Sequence, residues 1–151
     1  MKGTLVLLLL TGAALGAVSI SAPGAQSLTH SGADAPQAFP RQAWSLTSSE
    51  ALGATVTLSG GQFVHASNSA LKGNTKLDLV VLSSQGTAGW TAIVPTDQTV
   101  LPLHPTASVT ARSTLSGNGS VGLTVTFQES DYSILGTGNY NLTITGTIQG
   151  N

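Results

Sequence analysis

Two stretches near the C-terminal end of the chain constrain its fold more than any other. In SVGLTVTFQ, Val121, Leu123, Val125 and Phe127 fall on alternate positions, with Gly122, Thr124 and Thr126 between them. In NYNLTITGTI the same rhythm sets Tyr140, Leu142, Ile144 and Ile148 against Asn141, Thr143, Thr145 and Thr147. A period of two is the signature of a strand with one dry face and one wet face. Such strands belong to antiparallel sheets packed on a single side.

The rest of the body repeats this pattern in short runs separated by turn residues. Strands are expected at 43–47, 54–59, 62–66, 76–83, 88–94, 98–103, 106–115, 120–128 and 139–148. LDLVVLSS, apolar on both faces near its end, reads as a central strand, and SGNGS at 116–120 reads as a hairpin turn. ESDYSILGTG, 129–138, breaks the alternation and reads as a loop or a short helical turn. Composition agrees: charged residues make up only 7% of the chain, against roughly 25% in an average domain. Thr, Ser, Asn and Gln supply the polarity instead, and β-branched residues suit a pleated surface. The expected fold is an all-β antiparallel sandwich of immunoglobulin-like or pilin-like type, spanning 43–151.

Residues 1–25, MKGTLVLLLLTGAALGAVSISAPGA, carry a positive start at Lys2, an apolar run from Leu5 to about Leu15 and a tail of small residues. That is the pattern of a secretory signal peptide. The apolar stretch is short of the about 20 residues a membrane span needs. Small residues allow cleavage after Ser19, Ser21 or Gly24, so the site is open within 19–25. Residues 26–42, with Pro36 and Pro40, read as a flexible leader. A secreted or cell-surface location follows, with no membrane span after cleavage. The absence of cysteine removes disulfides and lipid anchoring, and leans toward a bacterial source.

Chemistry is sparse. A net charge of −1, with Arg41, Lys72, Lys76 and Arg112 scattered along the body, excludes a nucleic-acid footprint. His30, His65 and His104 lie far apart, without zinc-ligand spacing. Glu129 and Asp131 are the one close acidic pair, a weak match to a metal site, since a dedicated calcium loop's spacing is missing. No Gly-x-Ser-x-Gly, phosphate cradle or paired-carboxylate pattern occurs, so neither an enzyme nor a cofactor is expected. Among the aromatics, Phe127 and Tyr140 point inward by strand phase. Trp90 shares the parity of Ala92 and Val94 and is likewise expected in the core. Trp44 and Tyr132 are the aromatics left for an exposed binding surface.

The arrangement around Trp90 resembles the WxL-type surface domains of Gram-positive bacteria. It runs from a strand at 77–85 through a Gly-rich turn to Gly89-Trp90-Thr91-Ala92, and closes on a terminal strand opened by Tyr140. Ala92 stands where that family has leucine, and Gly146 where it has a second tryptophan. The resemblance implies a secreted sandwich held noncovalently to the cell wall. The Gly138–Ile148 segment also resembles the closing strand of chaperone–usher pilus subunits and their spore-coat relatives, without their penultimate aromatic or disulfide. That likeness implies a subunit donating part of 26–47 to its neighbour. The expected role is therefore a non-enzymatic surface or extracellular-matrix protein whose partners are wall polysaccharide or copies of itself. A self-assembling fimbrial or coat subunit is the alternative, and a carbohydrate-binding module the third reading.

Overall fold

A computed structural model of the chain describes residues 18–29, 35–129, 133 and 135–151, together with the backbone of 2–5. Fifteen strands follow one another in chain order, with no helix among the described residues. They are β1 (Lys2–Leu5), β2 (Val18–Ser21), β3 (Gln26–Thr29), β4 (Gln37–Ala38), β5 (Gln42–Ser48), β6 (Ala54–Gly60), β7 (Phe63–His65) and β8 (Asn68–Gly73). Next come β9 (Thr75–Ser84), β10 (Thr91–Val94), β11 (Thr96–Gln98), β12 (Ala107–Arg112), β13 (Gly117–Phe127), β14 (Asn139–Leu142) and β15 (Ile144–Gly150).

Two sheets form a sandwich-like body. One runs β11-β9-β13-β5-β2, with β4 added beside β13; the other runs β10-β12-β6-β15. A third sheet, β3-β1-β14-β7-β8, closes one end. Pairing is antiparallel throughout except between β1 and β14. In β13 the alternation is realised directly: Val121, Leu123, Val125 and Phe127 are buried, while Thr124 and Thr126 are half-buried on the far side. Val56, Leu58, Val109 and Ile144 of the facing sheet meet this row across the core.

Several sequence expectations change. The 139–148 run is two strands: β14 pairs with β7 and β15 with β6, the break falling at Thr143. The partner chain bends at the same level, because Ile144 lies opposite Gly60 and Gly61-Gln62 separates β6 from β7. SGNGS is no hairpin, since β12 and β13 belong to different sheets and the segment before Gly117 turns the corner between them. Beyond Leu79, whose N–H donates to the Pro95 carbonyl at 2.7 Å, β9 is an edge, and Val80 and Leu82, on its outer face, are exposed. The 98–103 stretch is a loop rather than a strand beyond Gln98, and β8 escaped the sequence reading altogether. The 26–42 leader contains β3 and β4, and Phe39 is buried with its N–H donating to the Val125 carbonyl at 2.8 Å.

The corner between β5 and β6 shows how a chain without disulfides holds its turns. Gly53 has φ +77, and a Cβ there would stand 2.6 Å from the Ser113 carbonyl carbon, so only glycine fits. The Ser113 hydroxyl oxygen accepts the Ala54 N–H at 2.8 Å. Asn151 then binds the same corner. Its side-chain amide donates to the carbonyls of Ser113 (2.9 Å) and Leu52 (3.1 Å), and its side-chain oxygen accepts from Thr55 (2.6 Å). Asn151→Ala removes all three bonds and is expected to cost about 1–3 kcal/mol, read as a lowered urea midpoint with unchanged slope.

Candidate functional site

The aromatic residues, the first candidates from sequence, are mostly structural. Trp44, expected at the surface, is 1% exposed. It sits on the inward face of β5, where Gln42, Trp44, Leu46 and Ser48 are all buried and Ala43, Ser45 and Thr47 are exposed. Trp90 is 4% exposed, but strand parity is not the reason. It lies just ahead of β10, its backbone N–H donating to the Ser84 hydroxyl at 3.0 Å, while Val94 is exposed beyond a bulge at 92–94. Tyr132 and Asp131 lie outside the described residues, as does His30.

Phe127 and Tyr140 belong to an aromatic run that fills the end of the sandwich. Phe39 stacks on Phe63 at 5.9 Å, Phe63 meets Phe127 edge-on at 5.0 Å, and Phe127 meets Tyr140 at 5.7 Å. His65 closes the run against Tyr140 at 5.0 Å. The Ser67 N–H donates to His65 Nδ1 at 3.1 Å, so the ring's Nε2–H is the donor to the Thr137 carbonyl, also at 3.1 Å. This histidine is committed to fastening the segment before β14. The Tyr140 hydroxyl donates to the Gly136 carbonyl at 3.2 Å.

Carboxylates are similarly committed. Glu129 accepts the Asn74 N–H at 2.7 Å, and Asp97 accepts the Gln98 and Ser108 N–H groups at 2.9 and 2.7 Å. Among the described residues no group of three His, Cys, Asp or Glu side chains could hold a metal ion. Lys76 and Asp78 form an exposed ion pair at 3.1 Å that contributes little, and His104 Nε2 lies 3.8 Å from Asp97.

Two surface features remain. The first is a loop with an apolar tip, where Val100, Leu101 and Leu103, expected in a strand at 98–103, lie beyond the end of β11. Leu103 is 87% exposed, with Val100 and Leu101 partly so. The loop is fixed at its base: the Thr99 and Thr75 N–H groups bind the Thr75 carbonyl and Thr99 hydroxyl, each at 2.8 Å, and Leu101 N–H reaches Asn74 at 3.1 Å. Val100 and His104 exchange backbone bonds across it. Pro102 and Pro105, flanking the leucine, were the available signal.

The second feature is the outer surface of the four-stranded sheet. Register places Thr147, Thr57 and Thr110 in one row across three strands, and Thr145, Ser59 and Ser108 in the next. Arg112 stands toward one end of this hydroxyl field, opposite Thr55. The six-stranded sheet repeats the theme, with Ser83 and Ser120 hydroxyls 2.8 Å apart on its outer side. Such a field offers many neutral donors and acceptors at the spacing of neighbouring strands and no nucleophile with a base beside it.

Two measurements test these assignments. Trp44→Ala is expected to destabilise by roughly 3–5 kcal/mol, the cost of truncating a buried tryptophan, in thermal or urea unfolding. Burial pushes the Tyr140 hydroxyl above the ordinary phenol value. The folded chain then holds this proton more tightly than the unfolded chain. Stability is complete below about pH 10 and falls as pH rises through the raised value. Urea unfolding between pH 8 and 11 should show a shallower alkaline loss for Tyr140→Phe than for the natural chain.

No family model matches the chain, and no curated protein matches it. Among solved structures, the tripod from the baseplate of bacteriophage Tuc2009 aligns at 10% identity with a TM-score of 0.21, over 74% of this chain and 64% of that one. The chain thus spans less than two thirds of that structure's length.

Proposed function

We propose that the protein is a secreted, non-enzymatic surface or extracellular-matrix component, pilin-like in its sandwich architecture, that engages neutral wall polysaccharide. The observation that carries this reading is the hydroxyl field of Thr147, Thr57, Thr110, Thr145, Ser59 and Ser108. A nearly uncharged, donor- and acceptor-rich sheet suits sugar hydroxyls and gives no long-range steering toward charged partners. The signal-peptide pattern supports export. Among the described residues no helix is long and apolar enough to cross a membrane, which leaves strands aside.

One observation favours the second reading, a fimbrial or coat subunit that adds strands between copies. The free edge of β15 is seven residues long, ITGTIQG, without charge or proline. The other edges of the two main sheets are blunter. β11 has three residues including Asp97, β10 is bulged and stopped by Pro95, and β2 has four residues. Long uncharged edges invite strand addition.

Cell fractionation followed by sedimentation with insoluble wall polysaccharide tests the first reading. The protein should be found in the surface or culture fraction and should sediment with polysaccharide. Thr57→Glu, a charge in the middle of the hydroxyl row, should raise the Kd from the sedimentation isotherm about tenfold, equivalent to ~1.4 kcal/mol. Filaments or high oligomers in size-exclusion chromatography and negative-stain microscopy, abolished by Thr147→Pro in β15, would instead favour the assembling subunit.

A further inference from the structure

We propose that the export cut falls ahead of Val18, so that Val18–Ser21 remains in the mature protein as a strand of the sandwich. The proposal rests on the secretory reading above and fixes its processing site. Cleavage after Ser19, Ser21 or Gly24, each allowed by residue size, would break or remove β2.

β2 is built into the fold as a strand is. It pairs antiparallel with β5, Val18 opposite Ser48 and Ile20 opposite Leu46. Its burial alternates: Val18 and Ile20 are partly buried against the core, while Ser19 and Ser21 are exposed. It also packs on β15 of the facing sheet, closing the side of the sandwich. The contact there is specific. A Cβ on Gly146 would stand 2.7 Å from Trp44 Cζ3, 3.0 Å from Ile20 Cδ1 and 3.1 Å from Leu58 Cδ2. The space left by the missing side chain of Gly146 is therefore filled by Trp44, Ile20 and Leu58 together.

Each downstream cut damages this arrangement. Cleavage after Ser19 would make Ile20 the terminus, placing a charged amino group opposite Leu46 and leaving only two residues of β2. Cleavage after Ser21 or Gly24 would remove Ile20, open the hollow at Gly146 and leave β5 as a bare edge. An upstream alternative exists: Ala14 and Gly16 put small residues at the −3 and −1 positions, directly after the apolar run, for a cut between Gly16 and Ala17. That cut also releases Lys2–Leu5. β1 belongs to the end sheet rather than the sandwich; its release takes the strand partner from β3, while β14 keeps its antiparallel partner β7 and the two main sheets are untouched.

The test uses the full chain, untagged, in a secreting bacterial host, with intact mass and N-terminal sequencing of the exported protein. The expected terminus is Ala17 or Val18. A terminus at Ile20, Ala22 or Ala25 overturns the proposal while leaving export standing. An uncut chain retained inside the cell overturns the secretory reading and the proposal with it. A second arm introduces Ile20→Asn, at a position where either cut tolerates it. The exported variant should melt about 4 °C lower or more, because the residue is present and packed. An unchanged melting temperature would show that β2 contributes nothing to the mature fold, and the proposal fails.

Discussion

Burial on one side of β13 is the constraint on which the rest depends. With no disulfide and few ion pairs, the chain relies on apolar area removed from water, roughly 25 cal/mol per Å². β13 organises that burial because it is paired along both edges, with β9 on one side and β5 and β4 on the other. Its inward row of Val121, Leu123, Val125 and Phe127 fixes the register of the sheet, since a shift by one residue would turn every apolar side chain to solvent. Phe127 then sets the end of the body. Its contacts with Phe63 and Tyr140 connect the sandwich to the end sheet, so the small third sheet is positioned by the same strand.

Where the alternation is uninterrupted by polar residues, the fold was legible in the chain. β6, β12 and β13 were found close to their true extents because Val, Leu and Ala alternate there with Thr, Ser and Gly. β5 is located too, but its face is not legible: its inward row of Gln42, Trp44, Leu46 and Ser48 begins and ends with polar residues, so nothing local marks Trp44 as buried. Parity also hid the division between β14 and β15. Leu142 and Ile144 both point inward, so the periodicity continues unbroken while the strand changes partners from β7 to β6. β8 had the opposite problem. It is an edge strand with most of its side chains exposed, and no dry face means no period to read.

Apolar character without a matching face misled the reading elsewhere. The Val100–Leu103 segment has strand-like hydropathy, yet its side chains point outward from a loop whose backbone bonds are spent on Asn74, Thr75 and His104. Exposing Leu103 on so well-fixed a base costs solvation without contributing to the core, which separates it from scattered apolar residues on an ordinary surface. Phe39 is the converse case. It lies among Pro36, Pro40 and polar residues that signal an irregular leader, yet Phe63 and the β13 backbone hold it in the core. Long-range partners decided both positions, and local sequence records only the loop, through Pro102 and Pro105.

The same limit explains the N-terminal segment, where one stretch satisfies two sets of rules. Small residues at 19–24 suit a processing enzyme that reads an extended chain through narrow pockets. Val18 and Ile20, alternating with serine, suit a sheet that needs a last strand beside β5. A local pattern cannot choose between these uses, whereas Gly146 can, more than 120 residues away. The space its missing side chain leaves is taken by Trp44, Ile20 and Leu58. Without Ile20, Trp44 and Leu58 would lose a packed neighbour there, and with it dispersion contacts. Under the proposed processing, a residue at the far end of the chain bears on which N-terminal residues the sandwich needs.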